Sequence, residues 1–303
     1  MKKIQVSRTA ESMAMFRALE SARPEPARLL WDPFAAHFLG TKMRLAAMAA
    51  EKSSTFHALL VSYIDQRWPG ARLSGVARTV FIDSELGTAL LSGTSQVVIL
   101  GAGYDSRAYR IQRMQQVRVF EVDRLATQEI KRERLSRVPG AILRHVSFVE
   151  TDFLRQDLPA ALASAGFDSH LETFFIWEGV TNYLDPDAVD GTLRFVGGCP
   201  VGSAIAFTYV DRGLLDGSGR FSVSPNVMRL LQKAGEGWTF GFYPEELAPY
   251  LSERGMQLVE DLGAVEYGAW FTGAAEQQTK GYDFYHVAIA KVRTLGGKIA
   301  KSK

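Results

Sequence analysis

The chain has 303 residues, 47% hydrophobic and 22% charged, a globular composition that excludes disordered and fibrous classes. Lys and Arg number 35 against 33 Asp and Glu, and a net charge of +2 gives no field to gather nucleic acid or an anionic membrane. The single cysteine, Cys199, excludes an internal disulfide and a thiolate metal site, and fits a reducing cytoplasm.

The first residues carry Lys2 and Lys3 but no apolar run behind them, so no secretory signal is expected. The longest apolar stretches, such as the one ending Val97-Val98-Ile99-Leu100, are too short to cross a bilayer. A soluble, cytoplasmic protein is the expectation. At about 150 residues per domain the length suggests about two units. We expect a helical N-terminal cap over 1–92, a larger domain over 93–295 and a flexible basic tail over 296–303. Within the cap, Met13, Phe16 and Leu19 recur at helical spacing. Asp32-Pro33 reads as an N-cap with a first-turn proline and Gly40 as a stop; Asp83 reads as the cap of a helix over 84–91.

The pattern changes at Ser92-Gly93-Thr94-Ser95. Strands are predicted over 96–100, 117–122, 146–150, 173–177, 204–210, 257–262 and 286–292. Helices are predicted over 106–112, 125–137, 160–165, 186–197 and 244–254. Such alternation requires right-handed crossovers and a parallel sheet covered on both faces, and the last two strands suit an antiparallel edge. Residues 212–241 interrupt the alternation and read as an insertion near the site.

No G-x-S-x-G elbow, Walker A loop or H-E-x-x-H motif is present. His170-Leu171-Glu172 lacks the P-C-x-x-C half of a deaminase zinc signature, and five scattered histidines show no ligand spacing, so no metal is expected. The informative segment is Val97-Val98-Ile99-Leu100-Gly101-Ala102-Gly103-Tyr104-Asp105-Ser106-Arg107, a strand running through glycines into a helix start. Gly101 and Gly103 permit a sharp turn and the close approach of a ligand. Asp123 ends the next strand, twenty residues after Gly103, where a carboxylate accepts from both ribose hydroxyls of an adenosine.

A dinucleotide site wants a third glycine beside its pyrophosphate, but Ser106 stands there, preceded by Tyr104 and Asp105. S-adenosyl-L-methionine has no phosphate and carries a sulfonium cation, so the balance favours it over NAD. Asp152 and Phe153 follow the third strand, where an adenine fits, and Glu178 follows the fourth, where a carboxylate suits an ammonium.

Together these motifs resemble the leucine carboxyl methyltransferase-like family of S-adenosylmethionine-dependent O-methyltransferases. The matching pieces run in order: Ser7-Arg8-Thr9-Ala10, Trp31-Asp32-Pro33-Phe34-Ala35, Ala77-Arg78-Thr79-Val80-Phe81-Ile82-Asp83, the glycine turn, Phe120-Glu121-Val122-Asp123, Thr151-Asp152-Phe153, Trp177-Glu178-Gly179-Val180-Thr181-Asn182-Tyr183-Leu184 and Gly237-Trp238-Thr239-Phe240-Gly241. The resemblance implies an α/β fold: a Rossmann-like class I methyltransferase with a seven-stranded, mostly parallel sheet, an antiparallel edge strand and an N-terminal helical cap. It also implies that Arg78 holds the methionine carboxylate, Gly101 lines the cofactor, Asp123 holds the ribose, Asp152 and Phe153 the adenine, and Glu178 the methionine end. Val80 departs from the pattern, since bacterial relatives often carry an arginine there, and contacts made from that position are in doubt.

Methyl transfer is an in-line displacement that yields S-adenosyl-L-homocysteine. The enzyme aligns the nucleophile and excludes water. An ionised carboxylate needs no base; for a hydroxyl, Tyr209, Asp211 and His286 are candidates by location only. Tyr209, Phe221, Trp238, Phe240, Phe242 and Tyr243, with Trp177 and Tyr183, read as an apolar pocket or as ordinary core. The expectation is an O-methyltransferase acting on a carboxylate or hydroxyl of a small, hydrophobic or natural-product-like acceptor. The alternatives are a protein C-terminal carboxyl methyltransferase, a nicotinamide-dependent oxidoreductase and a non-catalytic cofactor-binding module. No nucleic-acid or membrane partner is expected, and the sequence leaves the oligomeric state open.

Overall fold

The computed structural model describes residues 8–153, 157–219, 221, 237–272 and 282–293. Four helices come first: α1 (Arg8–Ser21), α2 (Thr41–Lys52), α3 (Ser54–Arg67) and α4 (Ala71–Leu91). The predicted apolar face of α1 is present, with Phe16 and Leu19 buried. The Asp32 carboxylate accepts from the Phe34 and Ala35 amides at 3.0 and 3.1 Å, opening a short 3-10 turn over Ala35–Phe38. Two expectations are corrected here. Gly40 does not end that turn but precedes α2. Asp83 caps nothing, because α4 runs unbroken through it: an apolar face containing Val76, Ala77, Phe81, Ile82 and Leu86 is buried along its length. The Asp83 carboxylate instead accepts from Arg107 and Arg110.

The sheet follows in chain order: β1 (Gln96–Leu100), α5 (Arg107–Arg110), β2 (Arg118–Asp123), α6 (Leu125–Leu135), β3 (Val146–Glu150), α7 (Leu158–Ser164), β4 (Thr173–Trp177), α8 (Pro186–Gly197), β5 (Ala204–Val210), α9 (Arg212–Asp216), α10 (Pro244–Ser252), β6 (Met256–Gly263), α11 (Ala264–Thr272) and β7 (Tyr285–Val292). Helix starts follow the local chemistry. Asp185 accepts from the Ala188 amide at 2.7 Å and Pro186 occupies the first turn of α8.

The strand order is β3-β2-β1-β4-β5-β7-β6. Strands β1 to β5 pair in parallel, and β7 runs antiparallel to both β5 and β6. The antiparallel member lies one strand in from the side that β6 closes. Side chains alternate between two cores. Val97, Ile99, Phe174, Ile176, Ala206 and Ile289 pack with α1 and α4, while Val98, Leu100, Phe175, Trp177 and Phe207 pack with α7, α8 and α10. Each fully buried Val, Leu, Ile or Phe contributes about 1.5–3 kcal/mol of transfer free energy. Among the described residues no helix is long and apolar enough to cross a membrane.

Candidate active site

The carboxyl ends of β1 to β5 form one edge, where ligands of open α/β sheets bind. Here the glycine turn folds back onto β2: the Ala102 amide donates to the Val122 carbonyl at 2.9 Å. Gly101 has φ +66°, and a Cβ on it would lie 2.4 Å from Val180 Cγ2, so both conformation and space demand glycine. Gly103 is also left-handed, at φ +42°. Its amide donates to Asp123 Oδ2 at 2.6 Å, and the Arg124 amide donates to Oδ1 at 2.7 Å. Burial pushes the Asp123 carboxyl above its ordinary pKa, and the two amides oppose that rise. The Thr151 amide donates to the Asp123 carbonyl at 3.0 Å, so the loop after β3 is tied to this point. Asp152 and Phe153 are half-buried in that loop, with the Phe153 ring 6.4 Å from that of Trp177.

Arg78 and Glu178 meet. Arg78 comes from the middle of α4 and Glu178 from the residue after β4, and Arg78 Nε donates to Glu178 Oε1 at 2.9 Å. Arg107 Nη2 donates to the other oxygen at 2.8 Å. Burial alone would raise the Glu178 carboxyl, but Arg107 and then Arg78 outweigh it and hold it below the usual range. Glu178 is therefore charged at neutral pH. Asp105, beside Arg107, is held down to about 2 against its own burial. Arg78 is held above its ordinary value: burial opposes the charge, while Tyr285, Glu178, Tyr267 and Tyr282 favour it.

Tyrosines surround the Arg78–Glu178 pair. The Arg78 guanidinium lies 4.6 Å from the Tyr285 ring, and Tyr282 stacks on Tyr285 at 5.6 Å. The Tyr267 and Ser74 hydroxyls are 2.5 Å apart, and those of Tyr183 and Thr9 are 3.4 Å apart. The Arg78 Nη2 also donates to the Met13 sulfur at 3.3 Å. None of Tyr267, Tyr282, Tyr285, Met13 or Arg107 was singled out as a site residue from sequence. One signal was available: Tyr285, Val287 and Ile289 alternate along β7, which puts Tyr285 on the α4 face.

The base candidates are assembled differently. The Tyr209 hydroxyl donates to Asp261 Oδ2 at 2.6 Å, and His286 Nδ1 lies 3.3 Å from Oδ1. The Tyr209 and His286 rings stack at 4.9 Å. Tyr209 packs with Phe207 and Trp177, on the face opposite Arg78. Burial, then Asp261, pushes its phenol well above the ordinary value. The Asp211 carboxylate accepts from the Gly213 amide at 2.7 Å and caps α9. The aromatics of the predicted pocket separate as well. Phe240 and Phe242 join the α10 core, Phe221 and Trp238 pack on Phe284, and Tyr243 is bonded to Asp216. Residues 222–236 of the predicted insertion lie outside the described residues. Among the described residues no group of three His, Cys, Asp or Glu could hold a metal.

Residues 10–197 match the leucine carboxyl methyltransferase profile. The chain belongs to the leucine carboxyl methyltransferase family. It is thereby an S-adenosyl-L-methionine-dependent methyltransferase. A Frankia alni relative designated an S-adenosyl-L-methionine-dependent methyltransferase is 37% identical over 213 residues, 69% of this chain and 70% of its own. A Streptomyces coelicolor protein of the same designation is 36% identical over 69% of this chain and 70% of its own. Among solved structures, a Thermobifida fusca protein described as a methyltransferase superposes with TM-score 0.54 at 19% identity, covering 91% of this chain and 97% of its own. A Streptomyces avermitilis structure gives TM-score 0.58 at 14% identity, covering 93% and 97%. At these identities the two structures speak for the fold alone.

Proposed function

We propose that this methyltransferase transfers its methyl group to oxygen, on a small and largely apolar acceptor that presents a carboxylate. The observation that carries the reading is the tyrosine-walled Arg78–Glu178 pair at the strand tips. A buried cation and anion side by side suit the carboxylate and ammonium of a methionine end. The left-handed Gly101 turn presents bare backbone at the strand tips, and Asp123 presents carboxylate oxygens at the end of β2, so the residues present fit S-adenosylmethionine. Bound there, the cofactor supplies an electrophilic methyl group on a sulfonium.

The chain's own residues then bind, orient and exclude water. In this reading Asp123 accepts from the ribose hydroxyls, Asp152 and Phe153 flank the adenine, and Arg78 and Glu178 hold the methionine end. Tyr183, Tyr267, Tyr282 and Tyr285 give an aromatic wall that keeps water from the reacting centre. A carboxylate acceptor is favoured over a hydroxyl because Tyr209 and His286 are turned to the other face and engaged with Asp261. An acceptor already ionised at neutral pH needs no base.

The test is transfer from S-adenosylmethionine labelled in its methyl group to a panel of small apolar acids and phenols. Label recovered as methanol after mild alkali marks a methyl ester and supports the reading. Alkali-stable label marks an ether or amine and overturns the carboxylate assignment. Label found only on a protein C-terminus overturns the small acceptor.

A further inference from the structure

Arg107 is the most heavily engaged side chain near the site, and the family match gives it no role. It is 2% exposed. Its Nε donates to Asp83 Oδ1 at 2.7 Å, its Nη1 to Asp105, and its Nη2 to Glu178 Oε2 at 2.8 Å and the Thr79 carbonyl at 3.4 Å. The Arg107 backbone amide also donates to Asp105 Oδ1 at 2.7 Å. One guanidinium thus joins the helix after the glycine turn, the middle of α4 and the residue that follows β4.

The division of labour at Glu178 follows from its two oxygens. Oε1 faces Arg78, which the proposed function assigns to the cofactor's carboxylate. Oε2 faces Arg107, which lies behind it. Once Arg78 turns part of its donor set to a ligand, Arg107 remains as the cation fixing the Glu178 carboxylate. Asp83 and Asp105 balance the charge of Arg107, so a buried cation can stand there without a ligand. The planar fork is needed because three carboxylates are served along different directions, which an ammonium cannot reproduce.

We propose that Arg107 is a positioning residue for cofactor recognition: it orients Glu178 toward the ammonium of the methionine end, and Asp83 in turn orients Arg107. The proposal rests on the placement of the methionine end given above. Neither residue is assigned a contact with the cofactor or a part in methyl transfer.

The test compares two probes by titration calorimetry: S-adenosylhomocysteine, and 5′-methylthioadenosine, which lacks the amino-acid end. Arg107→Lys is expected to weaken S-adenosylhomocysteine about 10-fold while 5′-methylthioadenosine stays within about twofold, because only the former presents an ammonium to Glu178. In a Glu178→Gln background the same substitution is expected to cost nothing further, the mark of two residues acting as one unit. Asp83→Asn, which weakens a charged partner of Arg107, serves as the second variant and is expected to give the same selectivity at about threefold, less than the loss of a charged hydrogen bond at the ligand because it acts through Arg107. Equal weakening of both probes, or costs that add in the Glu178→Gln background, would make Arg107 merely structural and overturn the proposal. If Glu178→Gln itself weakens both probes alike, the placement of the methionine end is what fails.

Discussion

Strands β1 to β5 and helix α4 lie against one another but are held by different physics. Strand side chains on both faces are mostly apolar and close-packed: Val97, Val98, Ile99, Leu100, Phe175 and Ile176 are all essentially inaccessible. Helix α4 is also buried over most of its length, yet it carries Arg78 and Asp83 into the contact, where they meet Glu178, Arg107 and Arg110. An apolar contact excludes every polar competitor, whereas an ionic seam can exchange one of its partners for a charged ligand. Helix α3 is a third case. None of its residues is fully buried, and Leu59 and Tyr63 are exposed.

The comparison breaks most severely if a buried charge inside the sheet layer proves dispensable. Lys131 and Glu121 pair at 2.7 Å with both side chains 1% exposed, and the Tyr109 hydroxyl donates to Glu121 at 2.8 Å. Lys131→Met should cost about 3–5 kcal/mol in urea denaturation, because the Glu121 carboxylate is left unpaired in the core. Glu121→Gln added to that variant should restore a good part of it.

Next in size is ligand binding at the strand tips. Asp123→Ala should weaken S-adenosylhomocysteine by about 100-fold or more, since two hydrogen bonds to a charged acceptor are lost at about 1.5–3 kcal/mol each. An unchanged dissociation constant in calorimetry refutes the ribose role. The fold should survive, because Asp123 stands at the rim and not within either apolar core.

Acid sharpens the contrast between seam and sheet. Glu178 and Asp105 titrate below their ordinary values, Asp105 at about 2. Carboxylates lowered on folding contribute stability above their unfolded pKa, and lose it as pH falls through the folded value. The seam should therefore hold at pH 5 and weaken between about pH 4 and pH 2, as the paired carboxylates take up protons. Hydrogen exchange in that window should quicken along α4 before it does in β1 and β4. The smallest effect belongs to α3: Tyr63→Ser should change stability by no more than about 0.5 kcal/mol, as expected of a surface substitution.

Much of this was legible in the residue order. All seven strands fall within a residue or so of their predicted limits, because short apolar runs alternating with helical segments are local signals. The Gly101 turn and the spacing to Asp123 were equally local, and the hydrogen bond from Gly103 to Asp123 joins the residues that the spacing singled out. What failed to read was set by distant partners. Asp83 has the composition of a cap but sits inside a helix, since Arg107 and Arg110, two dozen residues on, satisfy it there. Tyr209, Asp211 and His286 looked available, yet only packing shows Asp261 beside two of them and a helix start beneath the third.

Sequence alone determined the α/β alternation, the glycine turn and the acidic residues at the strand tips, because each depends on neighbours within a few residues. Tertiary structure decided that Arg78 and Glu178 face one another, that Arg107 stands behind them and that tyrosines from β7 and its approach enclose the pair. Those contacts join residues 71 to 100 positions apart or more, and no local period or spacing encodes which side chains a folded sheet brings to one edge.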